Sequence, residues 1–120
     1  MAKILIVDDV LIMRNILRVM LENAGHEIVG NAVSGEEALT KYAEVKPDLV
    51  TLDIQMERGD GMTFLETIIQ QYPDAKVMMV SAVDHQSTRK KALELGAVGY
   101  VTKPFQADDI LKQTREALAK

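Results

Sequence analysis

The sequence predicts an α/β domain built on a five-stranded parallel sheet. Along its 120 residues, a short apolar run followed by an amphipathic stretch occurs five times. This alternation favours parallel strands joined by right-handed crossovers, with helices on both faces of the sheet. The first apolar run, 4–7, is continuous rather than alternating, as expected of a strand covered on both faces. The length is that of one compact domain, so we expect a single domain over residues 1–120.

The elements follow in order along the chain. Apolar runs predict strands at residues 4–7, 26–33, 49–52, 77–80 and 98–101. Apolar residues at helical spacing predict helices over 10–23, from 34 to the residue before Pro47, around 62–69 up to Pro73, up to Gly96, and over 108–120. The inward face of the first helix is predicted from Ile12, Met13, Ile16, Leu17, Met20 and Leu21, and that of the second from Ala38, Leu39 and Tyr42.

Helix ends carry their own signals. Gly25 suits the end of the first helix, since glycine readily adopts the left-handed backbone conformation found there. Ser34 and Glu37 fit a capping box at the start of the second helix. The fourth helix is polar over residues 85–91, and only Ala92, Leu93 and Leu95 are available to anchor it.

Composition excludes several classes of function. The net charge of −4 and the isoelectric point near 5.1 argue against a nucleic-acid partner, which requires a basic face. The chain has no Cys, so disulfides and thiolate metal sites are excluded. No apolar stretch reaches the roughly 18 residues of a membrane span, and we expect a cytoplasmic protein without a membrane partner.

Acidic residues follow two of the predicted strands. Asp8 and Asp9 come after the first strand and Asp53 after the third. Ligand sites on parallel sheets lie at the carboxyl ends of the strands. If these strands are neighbours, three carboxylates converge there and require protons or a cation. Oxygen-only ligands favour a hard divalent ion, which predicts a magnesium site.

Two further polar residues follow the remaining strands. Ser81 ends the fourth strand, and Lys103 comes after the fifth. With the acids, they predict a site for an incoming phosphoryl group, with Asp53 as nucleophile and Lys103 offsetting charge on the transferring oxygens. Each residue alone has a plainer interpretation: Asp8 and Asp9 as a helix cap, Ser81 as another cap, and Asp53 and Lys103 as solvated surface residues. Their shared position at strand ends favours the functional interpretation.

Taken together, the motifs resemble the receiver domain of two-component response regulators over essentially the whole chain. The matching segments are 6–9 (IVDD), 52–56 (LDIQM), 60–62 (DGM), 80–82 (VSA) and 99–105 (GYVTKPF). The resemblance is greatest to stand-alone receivers of the chemotaxis type. It implies a flavodoxin-like (CheY-like) doubly wound sheet of strand order 2-1-3-4-5 with five helices, and no output domain.

The resemblance also implies roles for individual residues. Asp53 would be the phospho-acceptor for a histidine kinase or for small phosphodonors. The family's magnesium ligands correspond to Asp9, Asp53 and the backbone carbonyl of Gln55, with Asp8 acting through water. Lys103 would pair with the phosphoryl group and precede a cis bond to Pro104, and Ser81 and Tyr100 would form the switch. The protein would be a signalling phosphoprotein that catalyses only its own phosphorylation and dephosphorylation. The side chains of Gln55 and Val83 would set the rate at which water removes the phosphoryl group.

One position departs from the family pattern. A proline usually follows the Met of the loop after the acceptor, and Glu57 occupies that position here, followed by Arg58 and Gly59. We therefore expect a more mobile and more polar loop. The additional negative charge of Glu57 could weaken kinase docking or alter metal affinity.

The resemblance places the partner surface on the fourth helix, the fifth strand and the last helix. A run of charge is usually just a solvated helix face. A weakly anchored helix is also typical of a segment with two low-lying arrangements. We therefore expect Arg89, Lys90 and Lys91, beside Tyr100, to recognise an acidic segment of a downstream target, such as a flagellar motor switch protein. A phosphatase would be a further partner.

Other functions remain open from the sequence. A phosphorelay intermediate, passing its phosphoryl group to a histidine phosphotransfer protein, would use the same site. A small-molecule aspartyl-phosphate phosphatase needs a second acid two residues after the nucleophile, where this chain has Gln55. A nucleotide or flavin domain is disfavoured because Asp8 and Asp9 would repel phosphate. The complete acidic set argues against an interaction module that is never phosphorylated.

Overall fold

The computed structural model describes residues 1–57 and 59–120. Over these residues the chain forms alternating strands and helices. The strands are β1 (Lys3–Val7), β2 (Glu27–Ala32), β3 (Leu49–Leu52), β4 (Val77–Ser81) and β5 (Gly99–Thr102). The helices are α1 (Leu11–Asn23), α2 (Gly35–Val45), α3 (Gly61–Gln71), α4 (Gln86–Glu94) and α5 (Ala107–Leu118).

The strands form one parallel sheet in the order β2-β1-β3-β4-β5, which confirms the predicted fold. The order reverses direction at β1, so β1 and β3 are neighbours although α1, β2 and α2 separate them in sequence. Val7 pairs with Leu52, which pairs in turn with Met79. The residues that leave β1 and β3, Asp8 and Asp53, therefore emerge side by side at the carboxyl edge of the sheet.

The sheet separates two apolar cores. Alternate strand residues point to opposite faces, so Leu5 and Val7 face one core while Ile4 and Ile6 face the other. Helices α2, α3 and α4 cover the first face, and α1 and α5 cover the second. Coverage on both faces explains why the strands read as continuous apolar runs.

The predicted inward face of α1 is partly wrong. Leu17 and Leu21 are buried, whereas Ile12 is 69% exposed and Ile16 is 40% exposed. At 100° per residue, Ile12 lies nearly opposite the Leu17–Leu21 face. The helix carries aliphatic residues on both sides, so spacing alone did not identify the side that packs.

The anchoring of α4 is weaker than predicted. Ala92 is buried and Leu95 half-buried, but Leu93 is 48% exposed. The helix thus rests on the sheet through few apolar side chains.

Two strands differ by one residue from their predicted bounds. The strand β4 runs one residue further than predicted and includes Ser81, and β5 is displaced by one residue, to Gly99–Thr102.

Helix capping follows the sequence signals in two of the predicted places. Gly25 follows α1 with a positive φ of 94°. The Ser34 Oγ accepts a hydrogen bond from the Glu37 amide at 3.2 Å. Glu37 reaches back to the amide of Val33, at 3.3 Å, rather than to that of Ser34, so the predicted box is displaced by one residue.

In the part of the chain that the structure describes, no helix has both the length and the apolar character needed to cross a membrane.

Candidate functional site

Three carboxylates converge at the carboxyl edge of β1 and β3. Asp8, Asp9 and Asp53 each offer one oxygen, and these oxygens all lie within 4.8 Å of one another. Asp8 is only 1% exposed and Asp53 only 6% exposed. Ionised carboxylates this close and this buried repel one another strongly unless cations compensate them. The donor atoms are all oxygens, the set that suits Mg²⁺.

Lys103 supplies one compensating charge. Its Nζ lies 2.7 Å from Asp8 Oδ2 and 3.1 Å from Asp53 Oδ2. Burial alone would lower the pKa of Lys103, but the hydrogen bonds and charges of Asp8 and Asp53 outweigh it, and the pKa lies above its ordinary value. The lysine is therefore a fixed cation between the two carboxylates. The next peptide bond, Lys103–Pro104, is cis.

Backbone amides orient each of the three acids. The amide of Val10 donates to Asp8 Oδ1 at 2.9 Å, and that of Gln55 to Asp53 Oδ1 at 3.2 Å. The amide of Glu57 donates to Asp9 Oδ2 at 2.8 Å. Each carboxylate thus has a fixed oxygen, which reduces the conformational freedom that a ligand would otherwise have to remove.

The loop after Asp53 turns back on itself. Gln55 and Asp60 form an isolated antiparallel bridge, and Asp60 caps α3 by accepting the Met62 amide at 2.9 Å. Gln55 is exposed on this loop, where its backbone carbonyl is the predicted metal ligand. Arg58, predicted to add polarity here, lies outside the described residues.

Gly61 begins α3 directly against the backbone of Asp53 and Ile54. A Cβ added there would lie 2.2 Å from the Asp53 carbonyl oxygen and 2.7 Å from the Cα of Ile54. Both contacts are to backbone, which cannot yield as a flexible side chain can. Only glycine allows the helix to begin so close to Asp53.

Ser81 and Tyr100, the predicted switch pair, both bond to Val83. The Val83 amide donates to Ser81 Oγ at 3.2 Å, and the Tyr100 hydroxyl donates to the Val83 carbonyl. Ser81 is fully buried and Tyr100 is 6% exposed, so the ring is turned inward. Burial raises the pKa of Tyr100 above its ordinary value, and the Arg89 charge opposes this increase.

The predicted partner residues differ in their surroundings. The Arg89 guanidinium carbon lies 4.7 Å from the centre of the Tyr100 ring, and Arg89 also donates to Thr102 Oγ1 at 2.9 Å and to Asp84 at 3.1 Å. Lys90 is exposed and lies 4.0 Å from Glu94. Lys91 is also exposed. Arg89 is thus part of the wall around Tyr100, which its position in a polar run did not indicate.

Sequence reasoning missed two contacts of the acidic cluster. The Arg14 guanidinium donates to the Asp8 backbone carbonyl at 2.6 Å, and the Glu57 amide bonds Asp9. Arg14 follows Asp8 and Asp9 within two helical turns of sequence, and this short spacing could have indicated the contact. No sequence signal marks the Glu57 contact, because its donor is a backbone group.

Nearly the whole chain matches a known protein family. Residues 4–115 match the model described as "Response regulator receiver domain". The chain belongs to this family. Its fold and its acidic cluster are thus those of a receiver domain of two-component response regulators.

The relatives of this receiver domain include chemotaxis proteins. It is 44% identical over 117 residues to the chemotaxis protein CheY of Listeria monocytogenes, with 98% of each chain covered. It is 42% identical over 116 residues to CheY of Bacillus subtilis, with 97% of each covered. Among solved structures, the CheX–CheY–BeF3–Mg²⁺ complex of Borrelia burgdorferi matches with a TM-score of 0.95 and 33% identity, over 98% of this chain and 90% of that one.

Proposed function

We propose that this receiver domain takes up a phosphoryl group on Asp53 at a magnesium site. The observation that carries the proposal is the placement of the Asp53 carboxylate. It is buried at the end of β3, in contact with Lys103 and grouped with two further acids. A buried carboxylate beside a lysine ammonium and two further acids is placed to act as a nucleophile toward an anionic donor.

The transfer makes one bond to phosphorus and breaks one. A carboxylate oxygen of Asp53 bonds to phosphorus, while the bond to the donor's imidazole nitrogen or acyl oxygen breaks and its electron pair leaves with the donor. Lys103 offsets the charge of the transferring oxygens from its position beside Asp53. The Ser81 hydroxyl, whose oxygen accepts the Val83 amide, would donate its proton to a phosphoryl oxygen.

The residues of the cluster fit a divalent cation. The cluster has three carboxylates and one ammonium, which contacts only Asp8 and Asp53 among the described residues, so negative charge remains that such an ion would offset. Asp9, Asp53 and the Gln55 carbonyl would hold the ion directly, and Asp8 through water. When bound, Mg²⁺ would supply Lewis-acid neutralisation of the phosphoryl oxygens.

The signal would then pass from the acceptor to the surface formed by Tyr100, Arg89, Lys90 and Lys91. Val83, bonded to both Ser81 and Tyr100, connects the acceptor edge with that surface. A hydroxyl drawn toward the phosphoryl group would disturb these bonds and change how the tyrosine is held.

The partners that we propose follow from the family and its relatives. A histidine kinase would be the donor, as the family of two-component response regulators implies. The role would be in chemotaxis, with a target of the flagellar motor switch type. The CheX–CheY complex supports a phosphatase as a further partner.

The recognition of an acidic target segment has a direct test. Reversing the charges of Arg89, Lys90 and Lys91 together should weaken phospho-dependent binding of the target, measured by calorimetry. Unchanged binding by the triple variant would contradict this assignment.

Two alternatives use the same acceptor. A phosphorelay intermediate differs only in passing its phosphoryl group to a histidine phosphotransfer protein. A phosphatase of small phosphate esters is disfavoured, because Gln55 stands where a general acid is needed.

The proposal is tested by incubating the protein with acetyl phosphate and Mg²⁺ and recording the intact mass. The wild type should gain the mass of one phosphoryl group, and should not do so when Mg²⁺ is chelated. Asp53→Asn, which removes the nucleophilic oxygen, should gain nothing. Equal gain in the variant, or none in the wild type, would overturn the proposal.

A further inference from the structure

The loop after the acceptor contains a hydrogen bond that a proline at position 57 could not make. The backbone amide of Glu57 donates to Asp9 Oδ2 at 2.8 Å, across 48 residues of sequence. Proline has no backbone N–H. The contact therefore depends on the residue type at 57, the position where this chain departs from the usual pattern.

The bond joins two loops that carry acids of the cluster. Asp9 lies in the loop after β1, and Glu57 lies in the loop that follows Asp53 at the end of β3. The bridge between Gln55 and Asp60 closes the base of the second loop. The Glu57–Asp9 bond fixes its other side, so this loop is held from two directions.

The bond also divides the roles of the two Asp9 oxygens. Oδ2 accepts the amide, whereas Oδ1 accepts no hydrogen bond from the described residues. Asp9 is half-buried, and it is the one acid of the three that Lys103 does not contact within the described residues. The amide of Glu57 is thus the donor that orients this carboxylate.

We propose that the backbone amide of Glu57 positions Asp9 for divalent-ion binding, so that metal affinity and the conformation of the loop are coupled. The proposal rests on the proposed function in taking the acidic cluster as the metal site. A carboxylate held in place loses less conformational freedom when it binds an ion. By linkage, an ion on Asp9 stabilises the loop conformation that orients it.

The test compares variants that separate the amide from the carboxylate of Glu57. Glu57→Ala and Glu57→Gln remove the negative charge but keep the N–H, whereas Glu57→Pro removes both. The Mg²⁺ dissociation constant is measured by calorimetry without any phosphodonor. Glu57→Pro should bind Mg²⁺ roughly three- to tenfold more weakly than Glu57→Ala, the scale of one charge-assisted hydrogen bond lost at a partly exposed site. Equal affinity in the two variants would overturn the proposal.

A measurement on the wild-type protein tests the proposal even if Glu57→Pro does not fold. Hydrogen exchange followed by NMR should show the Glu57 amide protected relative to an unstructured peptide, and protected further as Mg²⁺ is added. Exchange at the rate of an unstructured peptide would contradict the proposal. A wild type that is phosphorylated normally, with equal Mg²⁺ affinity in the proline and alanine variants, would refute this inference alone. A wild type that neither binds Mg²⁺ nor accepts a phosphoryl group would refute the proposed function.

Discussion

At the residue scale, Lys103 explains how two buried acids can lie side by side. Asp8 and Asp53 are nearly inaccessible to solvent, and a charge buried without a partner costs several kcal/mol, about 3–5 when a buried pair is broken. Lys103 contacts both carboxylates through a single ammonium group. The same cation that holds the acids together therefore already lies beside an Asp53 oxygen, the proposed phospho-acceptor.

Thr51 is a buried residue whose hydroxyl has no partner. It lies in β3 between Ile6 and Met78, is 1% exposed, and its Oγ1 makes no hydrogen bond within the described residues. Thr51→Val replaces the hydroxyl with a methyl group of similar shape and removes the desolvation penalty. We expect the free energy of unfolding to rise by about 1 kcal/mol, since an unsatisfied buried polar group costs roughly 1–3 kcal/mol.

The measurement is urea unfolding of the wild type and the variant, with Thr40→Val as the control. Thr40 is exposed on α2, where its Oγ1 has a solvent-accessible bond to the Glu36 carbonyl. The control should change stability by less than about 0.5 kcal/mol. A Thr51→Val variant that is less stable than the wild type would show that the hydroxyl is satisfied in solution.

The residues that gather at this edge of the sheet could be predicted from the sequence, but not all of their contacts. Asp8, Asp53, Ser81 and Lys103 stand out because each follows an apolar run, and strand ends share an edge of the sheet. The Glu57–Asp9 bond could not be predicted, because its donor is a backbone group. The position of its amide depends on the tertiary path of the loop.

At the element scale, α4 and β5 are joined through polar contacts more than through apolar packing. Ala92 is the one α4 residue that is fully buried, among those described. Arg89 compensates for this sparse apolar packing, because it stacks on Tyr100 of β5 and donates a hydrogen bond to Thr102 at the end of that strand. Arg89 of α4 thus lies over the inward ring of Tyr100.

Arg89→Ala should release Tyr100 from its inward position. A cation–π contact contributes about 0.5–1 kcal/mol at an exposed site, so we expect the outward population of the ring to rise roughly two- to fivefold. Fluorine NMR of protein labelled with 3-fluorotyrosine reports this population, with the Tyr100 signal assigned from Tyr100→Phe.

The matched control for this prediction is Lys90→Ala. Lys90 is the neighbouring cation and contacts Glu94 instead of the tyrosine. Its removal should leave the Tyr100 signal unchanged. If Arg89→Ala also leaves the signal unchanged, the arginine does not hold the ring.

Elements differ in how well periodicity identifies their buried face. The strand β3 was predicted with the observed bounds, because both of its faces are apolar and turn residues flank it. The orientation of α1 was predicted less well, because exposed Ile12 and Ile16 carry the same apolar signal as buried Leu17 and Leu21. Propensity and spacing report that a helix forms, but packing against α5 and the sheet determines which side is covered.

At the scale of the whole molecule, topology assembles the site. Residues 8, 53, 81 and 103 are distant in sequence, and the order β2-β1-β3-β4-β5 brings their strand ends to one edge. Alternating apolar runs predicted the parallel sheet, but the order of its strands came from the family resemblance. Local patterns do not encode which strands become neighbours.

Phosphorylation of Asp53 is tested by identifying the modified residue itself. The protein is treated with acetyl phosphate and Mg²⁺, reduced with borohydride, which converts an aspartyl phosphate to homoserine, and digested for tandem mass spectrometry. We expect homoserine at position 53 in the wild type, and no homoserine in Asp53→Asn. Homoserine at Asp8, Asp9 or another acid, with position 53 unchanged, would contradict this expectation.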